Sequence, residues 1–198
     1  MIKKIVLASN NPGKVREIGQ LLADLDIEVV PQSDFNIPEV EETGLTFVEN
    51  AILKARHAAE LSQLPALADD SGIEVDALMG APGIYSARFA GTGASDAQNL
   101  EKLIAELQAL DKPVRTARFQ CLMVLMEHAT DPTPLICQGT WEGEIIDTPK
   151  GDNGFGYDPI FYVTSERCTS AQLPAEKKNA LSHRGQALNC LLEKLSNQ

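Results

Sequence analysis

Four groups of residues in this chain carry side chains able to act on a charged ligand. The first is Ser9-Asn10-Asn11-Pro12-Gly13-Lys14, set between the apolar run Ile5-Val6-Leu7-Ala8 and a helical pattern. Backbone N–H groups at a helix N-terminus attract anions; Lys14 adds positive charge, and Ser9 and Asn11 can donate to phosphate oxygens. The GxxxxGK(S/T) spacing of a Walker A loop is absent, and a plain polar turn with Lys14 in solvent is the competing reading. The second group is Glu39, Glu41 and Glu42, followed by Glu49. Clustered carboxylates repel unless a cation compensates them, and a hard divalent ion is one solution. A solvated acidic loop, with Glu49 completing a helix cap, is the other. The third is Asp69-Asp70-Ser71-Gly72, directly after Pro65-Ala66-Leu67-Ala68. Acids drawn inward by an apolar run are costly to leave unpaired, and one there could hold Mg²⁺ or take a proton from water. Gly72 would let the backbone turn sharply, so an Asp-Ser-Gly turn without chemistry is the alternative.

The fourth group is split between Phe155-Gly156-Tyr157-Asp158 and Lys178-Asn179-Ala180-Leu181-Ser182-His183-Arg184. Glycines beside Phe155 allow close approach of a planar ligand to an aromatic stacking face. Asp158 can accept hydrogen bonds, and His183 and Arg184 can donate to carbonyl oxygens, a mixture suited to a nucleobase. His57 and His128 sit in no partner pattern. Together the four groups amount to a phosphate-binding turn, an acidic metal site and an aromatic base pocket, the parts of a nucleoside-triphosphate site. Mg²⁺ bridging carboxylates and phosphates would let an acidic protein hold a polyanion.

The elements that must position these groups can be read from periodicity. Ile5–Ala8 is a short buried strand; a helix follows from about Gly13, with Val15, Ile18, Leu21, Leu22 and Leu25 at helical spacing. Ile27–Val30 is a second strand. Thr46-Phe47-Val48-Glu49 has the form of a capping box and opens a helix to about Ser62. Pro65–Ala68 is a short strand running into Asp69–Gly72. Ser95 or Asp96 caps a helix bearing Leu100, Leu103, Ile104 and Leu107. Thr116–Glu127 and Leu135–Glu144 suggest a long hairpin; Gly151–Asp158 is a loop, and Pro159–Val163 a strand. A final helix carries Ala187, Leu188, Leu191, Leu192 and Leu195. The expected fold is α/β with a mixed sheet, a single domain over 1–198 with two lobes and a ligand cleft between them.

The 198 residues include 17 Lys and Arg against 28 Asp and Glu, a net charge of −11. That balance excludes a broad nucleic-acid surface, and no apolar run approaches the ~20 residues of a membrane span. The N-terminal apolar stretch is too short for a signal peptide. Cys121, Cys137, Cys168 and Cys190 form no CxxC pair or zinc spacing, so free thiols in a reducing cytoplasm are expected.

The chain also resembles, end to end, the inosine triphosphate pyrophosphatase family and in particular its bacterial members. Six segments carry the resemblance: Ser9–Lys14, Glu41–Ala51, Ala68–Gly72, Ala81–Arg88, Gly154–Pro159 and Ser182–Gly185. The resemblance implies an elongated mixed α/β fold, a homodimer, Mg²⁺ dependence, and hydrolysis of ITP, dITP and XTP to monophosphate and pyrophosphate. It assigns Ser9, Asn10, Asn11, Pro12, Gly13 and Lys14 to the phosphates, Glu41 and Asp70 to Mg²⁺, and proton acceptance to Asp70. Ser71, Phe155, Gly156, Tyr157, Asp158, Lys178, His183 and Arg184 would contact the nucleotide, with Phe155 stacked on the base. Asn10 stands where the family commonly has Gly. Lys177 stands where it often has Glu, so Lys177 and Lys178 compete for one role. Two rival readings are a Maf-like pyrophosphatase for modified pyrimidine or methylated nucleotides and a nucleotide-binding regulator without catalysis.

Overall fold

Buried apolar runs alternating with amphipathic helices give a mixed sheet flanked by helices. A computed structural model describes residues 2–23 and 27–196. Leu25 lies outside the described residues, as do the side chains of Pro12 and Leu21 and the surroundings of Gly13. The first half of the chain forms β1 (Lys4–Leu7), α1 (Pro12–Ala23), β2 (Glu28–Pro31), α2 (Phe47–Ser62), β3 (Ala66–Val75) and α3 (Asp96–Gln108). The second half forms β4 (Thr116–Met126), β5 (Leu135–Ile145), β6 (Phe161–Val163), β7 (Cys168–Thr169), α4 (Ala175–Leu181) and α5 (His183–Ser196). The sheet order is β2-β1-β3-β4-β5-β6-β7. β1 runs parallel to β2 and β3, whereas β5–β6 and β6–β7 are antiparallel. Among the described residues no helix is long and apolar enough to cross a membrane.

The chain divides into two compact units, each assembled from separated segments. The first comprises Met1–Asp70, Cys121–Gly139 and Ala187–Gln198. Its strands bury both faces, and their period-two alternation sorts side chains into two cores. Ile5, Leu7, Leu67, Cys121, Met123 and Leu125 pack with Ile18 and Leu22 of α1 and with Ala187, Leu188 and Leu191 of α5. Val6, Ala8, Ala66, Ala68, Val124 and Met126 pack with Ala51, Ala55, Ala58 and Ala59 of α2. In this unit Cys190 Sγ lies 2.8 Å from Cys137 Sγ, both as free thiols.

The second unit comprises Ser71–Gln120 and Thr140–Gln186. Leu100, Leu103 and Leu107 of α3 join Ile73, Val75, Phe119, Trp141, Ile145, Phe161 and Val163 in its core. The Phe119 ring sits 4.6 Å from that of Phe161, centroid to centroid.

Two expectations are corrected, and one element was not anticipated. The strand expected to end at Ala68 continues to Val75, so Asp69, Asp70, Ser71 and Gly72 lie within β3 and make no turn. Both faces of β3 are covered along most of its length, which keeps the backbone extended through Gly72. β6 begins at Phe161 rather than Pro159, because the residues before it form a turn in which the Ile160 and Phe161 N–H groups both go to the Tyr157 carbonyl. α4, seven residues long, is too short to register as a periodic pattern.

The cap of α2 differs in detail from a capping box. Thr46 Oγ1 accepts the Glu49 N–H at 3.3 Å, while Glu49 Oε2 accepts the Leu45 N–H at 2.8 Å and the Thr46 hydroxyl at 2.9 Å. These bonds, the Thr46 hydroxyl foremost, hold the Glu49 carboxyl below its usual pKa. Thr46→Val removes the cap and should cost about 1 kcal/mol in urea unfolding without altering the unfolding slope.

Candidate functional site

In the first unit the turn after β1 is built by its own polar side chains. Asn11 is the N-cap of α1: its Oδ1 accepts the Lys14 N–H at 3.3 Å, and its carbonyl accepts the Val15 N–H at 3.1 Å. Pro12 follows at the first helical position, where a missing N–H costs nothing. Ser9 Oγ accepts the Asn11 N–H at 3.1 Å, and Asn10 reaches across to Glu39 at 3.0 Å. Lys14 is not in solvent. Its ammonium donates to Asp69 Oδ1 at 2.6 Å, with the Asp69 side chain fully buried.

β3 explains how two neighbouring acids do different work. Alternation puts Asp69 on the face of Leu67, which packs with α1, and Asp70 on the face of Ala66 and Ala68, which packs with α2. Each carboxylate meets a lysine from the helix on its side. Lys14 of α1 takes Asp69, and Lys54 of α2 takes Asp70 at 2.6 Å. The Asp69-Asp70 dipeptide is therefore two separate ion pairs rather than one carboxylate dyad.

Lys54 is the functional candidate that sequence reasoning missed. It also donates to Glu42 Oε1 at 3.1 Å and to the Asp69 carbonyl at 3.0 Å. The signal was a lysine one residue short of Ala55, on the border of the apolar stripe of α2. Burial lifts the Asp70 carboxyl above its ordinary pKa, against the pull of Lys54. Burial also works to lower Lys54, but Asp70 and then Glu42 outweigh it, and its pKa ends raised. A buried carboxyl with a raised pKa beside a locked ammonium is chemically suited to accept a proton. Glu41 is exposed, whereas Glu42 turns in to Lys54. Among the described residues no three acidic, His or Cys side chains form a ready-made metal cage.

In the second unit another set converges. Asp158, 4% exposed, accepts from Ser170 Oγ at 2.7 Å on Oδ1, and on Oδ2 from the Phe155 N–H at 2.9 Å and Lys178 Nζ at 2.5 Å. Gly154 is required for this close approach: its φ is +81°, and a Cβ there would lie 2.0 Å from Asp158 Oδ2. Lys178 Nζ and the Arg184 guanidinium lie 5.3 and 5.7 Å from the Phe155 ring centroid, at cation–π distance. Arg184 also donates to Ser71 Oγ at 3.2 Å. His183 stacks on Phe119 at 4.8 Å. Between the two competing lysines, Lys178 belongs to this cluster, while Lys177 pairs with Glu166 at 2.5 Å. Tyr157 does not join it through its side chain. The Tyr157 ring is in the core and its hydroxyl donates to the Ser86 carbonyl at 2.8 Å.

Comparison with known proteins adds independent findings. A model of the Ham1 family matches residues 5–194. A curated relative from Vibrio parahaemolyticus, named dITP/XTP pyrophosphatase, is 59% identical over 197 residues, covering 100% of this chain and 98% of its own. A HAM1 protein structure from Coxiella burnetii superposes with a TM-score of 0.95 at 55% identity, covering 100% of both chains. The Staphylococcus aureus Ham1 structure gives 0.88 at 45% identity, covering 98% of this chain and 99% of its own.

The Lys54–Asp70 pair yields a stability test whose sign is fixed. The folded-state pKa of Asp70 is already raised, and removing the ammonium raises it further, so the penalty is full above that pKa and relieved as pH falls through it. Lys54→Met should lose about 2–3 kcal/mol in urea unfolding at about pH 8, and distinctly less at about pH 5. An equal loss at both pH values would show that Asp70 does not titrate against Lys54.

Proposed function

The chain belongs to the Ham1 family, and on that footing we propose that it hydrolyses the deaminated purine triphosphates dITP, ITP and XTP to the monophosphate and pyrophosphate. The observation that carries the reading is Asp70, a buried carboxyl of raised pKa whose Oδ1 is held by Lys54. The names of relatives at about 59% identity set aside the Maf-like reading for pyrimidine and methylated nucleotides. The reading places the enzyme in the cytoplasm as a homodimer, the state typical of the family it resembles.

The polyphosphate falls to the first unit. Ser9 to Lys14 present the N-terminus of α1, and Lys14 and Lys54 supply the two positive charges held beside β3. Water attacks the α-phosphorus, and the proton passes to Asp70, on Oδ2 since Lys54 occupies Oδ1. The donor chemistry fits Mg²⁺, which prefers carboxylate oxygens: Lys54 engages Asp70 Oδ1 and Glu42 Oε1, and Glu41 on the same acidic segment is exposed. Asp70 and Glu41 would hold the ion, since Mg²⁺ takes one or two carboxylates and completes its shell with waters and phosphate oxygens. When bound it offsets the charge that develops on departing pyrophosphate.

For base recognition, Phe155 offers a half-exposed ring and Lys178, His183 and Arg184 offer donors. Donors aimed at a 6-keto oxygen meet a 6-amino group in ATP, and leaving one unpaired costs about 1–3 kcal/mol.

The deciding assay is dITP with Mg²⁺, products resolved: pyrophosphate plus dIMP supports the reading, and stepwise release of single phosphate sinks it. Asp70→Asn should retain nucleotide binding while turnover falls by about 10²-fold or more. Near-wild-type turnover would remove Asp70 as the base. Glu41→Gln should raise the Mg²⁺ concentration needed for half-maximal rate; an unchanged titration takes Glu41 out of the metal site.

A further inference from the structure

We propose that Asp96 is a positioning residue for base recognition, fixing the pose of Phe155 through the Gly156 amide. The inference rests on the functional reading above and goes beyond it. Phe155 is 45% exposed, so its ring is not enclosed by a core and its direction depends on the backbone that carries it. It stands between Gly154 and Gly156, both left-handed, the latter at φ +62°, and such a segment has many conformations open to it.

Two hydrogen bonds remove that freedom. The Phe155 N–H donates to Asp158 Oδ2 at 2.9 Å, and the Gly156 N–H donates to Asp96 Oδ2 at 2.8 Å. These amides belong to the rigid peptide planes immediately before and after the Phe155 Cα. Holding both planes fixes φ and ψ of Phe155, and with them the direction in which its side chain leaves the backbone. Asp158 is tied to Ser170, whereas Asp96 stands on α3. The loop is thus referred to two different elements of the second unit.

The α3 end of this bracket is firm. Ser95 and Gln98 form a complete capping box around the first turn, and a carboxylate there is favoured by the helix dipole. A cavity of about 530 Å³ lies against both segments, lined by Leu100 and Ile104 of α3 and by Pro149, Asp152 and Phe155 of the loop. A carboxylate accepting a backbone N–H is one of the stronger hydrogen bonds a protein can make, and here it joins α3 to the loop directly.

The test compares wild type, Asp96→Ala and Asp96→Asn for kcat and KM with dITP, and for inhibition by dIMP, which carries the base, and by pyrophosphate, which does not. In Asp96→Ala, KM for dITP and the dIMP inhibition constant should each rise about fivefold, with kcat and the pyrophosphate constant within about twofold of wild type. Asp96→Asn keeps an acceptor oxygen for the Gly156 N–H and should stay within about twofold of wild type throughout. The proposal falls if Asp96→Ala moves neither dITP nor dIMP, if it weakens dIMP and pyrophosphate equally, or if Asp96→Asn behaves like Asp96→Ala. Wild type that released no pyrophosphate from dITP would overturn the functional reading and this inference together, whereas an unresponsive Asp96→Ala beside active wild type overturns this inference alone.

Discussion

A carboxylate inside a sheet must find a cation, and β3 presents two such demands in consecutive residues. Because successive side chains point to opposite faces, no single lysine can serve both. The fold answers with one helix per face, Lys14 from α1 and Lys54 from α2, each at 2.6 Å. The position of both helices on the first unit is thereby a condition of the chemistry as well as of packing. The turn at Ser9–Lys14 has to be capped by Asn11 so that Lys14 leaves α1 on the inner side, and the Glu39–Glu42 segment has to fold back so that Glu42 shares Lys54.

The second unit solves a different problem with the same chemical group. There a buried carboxylate, Asp158, gathers a hydroxyl, an amide and an ammonium, and so organises the backbone around Phe155 rather than supporting a reaction. Asp70 and Asp158 are alike in burial and opposite in use. Asp70 shares one ammonium with Glu42 and has its pKa raised by burial; Asp158 is surrounded by donors on both oxygens.

Much of this was legible in the residues. Period-two and helical patterns placed β1, α1, α2, α3, the β4–β5 region and α5, because those elements are long or strongly one-sided. The four chemical groups were also visible, since strand-to-helix turns, clustered acids and glycine-flanked aromatics are local signals. What stayed hidden was long-range. The separation of Asp69 from Asp70 required knowing that β3 runs on to Val75 with cover on both faces. Lys54 looked like an ordinary helix-surface residue until Asp70, 16 positions away, was brought beneath it. Tyr157 sat inside a binding motif but spends its ring on the core, a distinction that only burial reveals.

The alanine face of α2 has a consequence for how the protein tolerates change. Ala51, Ala55, Ala58 and Ala59 pack in one cluster with Ala66 and Ala68, so α2 approaches β3 through small side chains. That closeness sets how far a lysine must stretch to reach Asp70. Larger side chains at these alanines would push α2 off β3, and with it carry Lys54 away from Asp70.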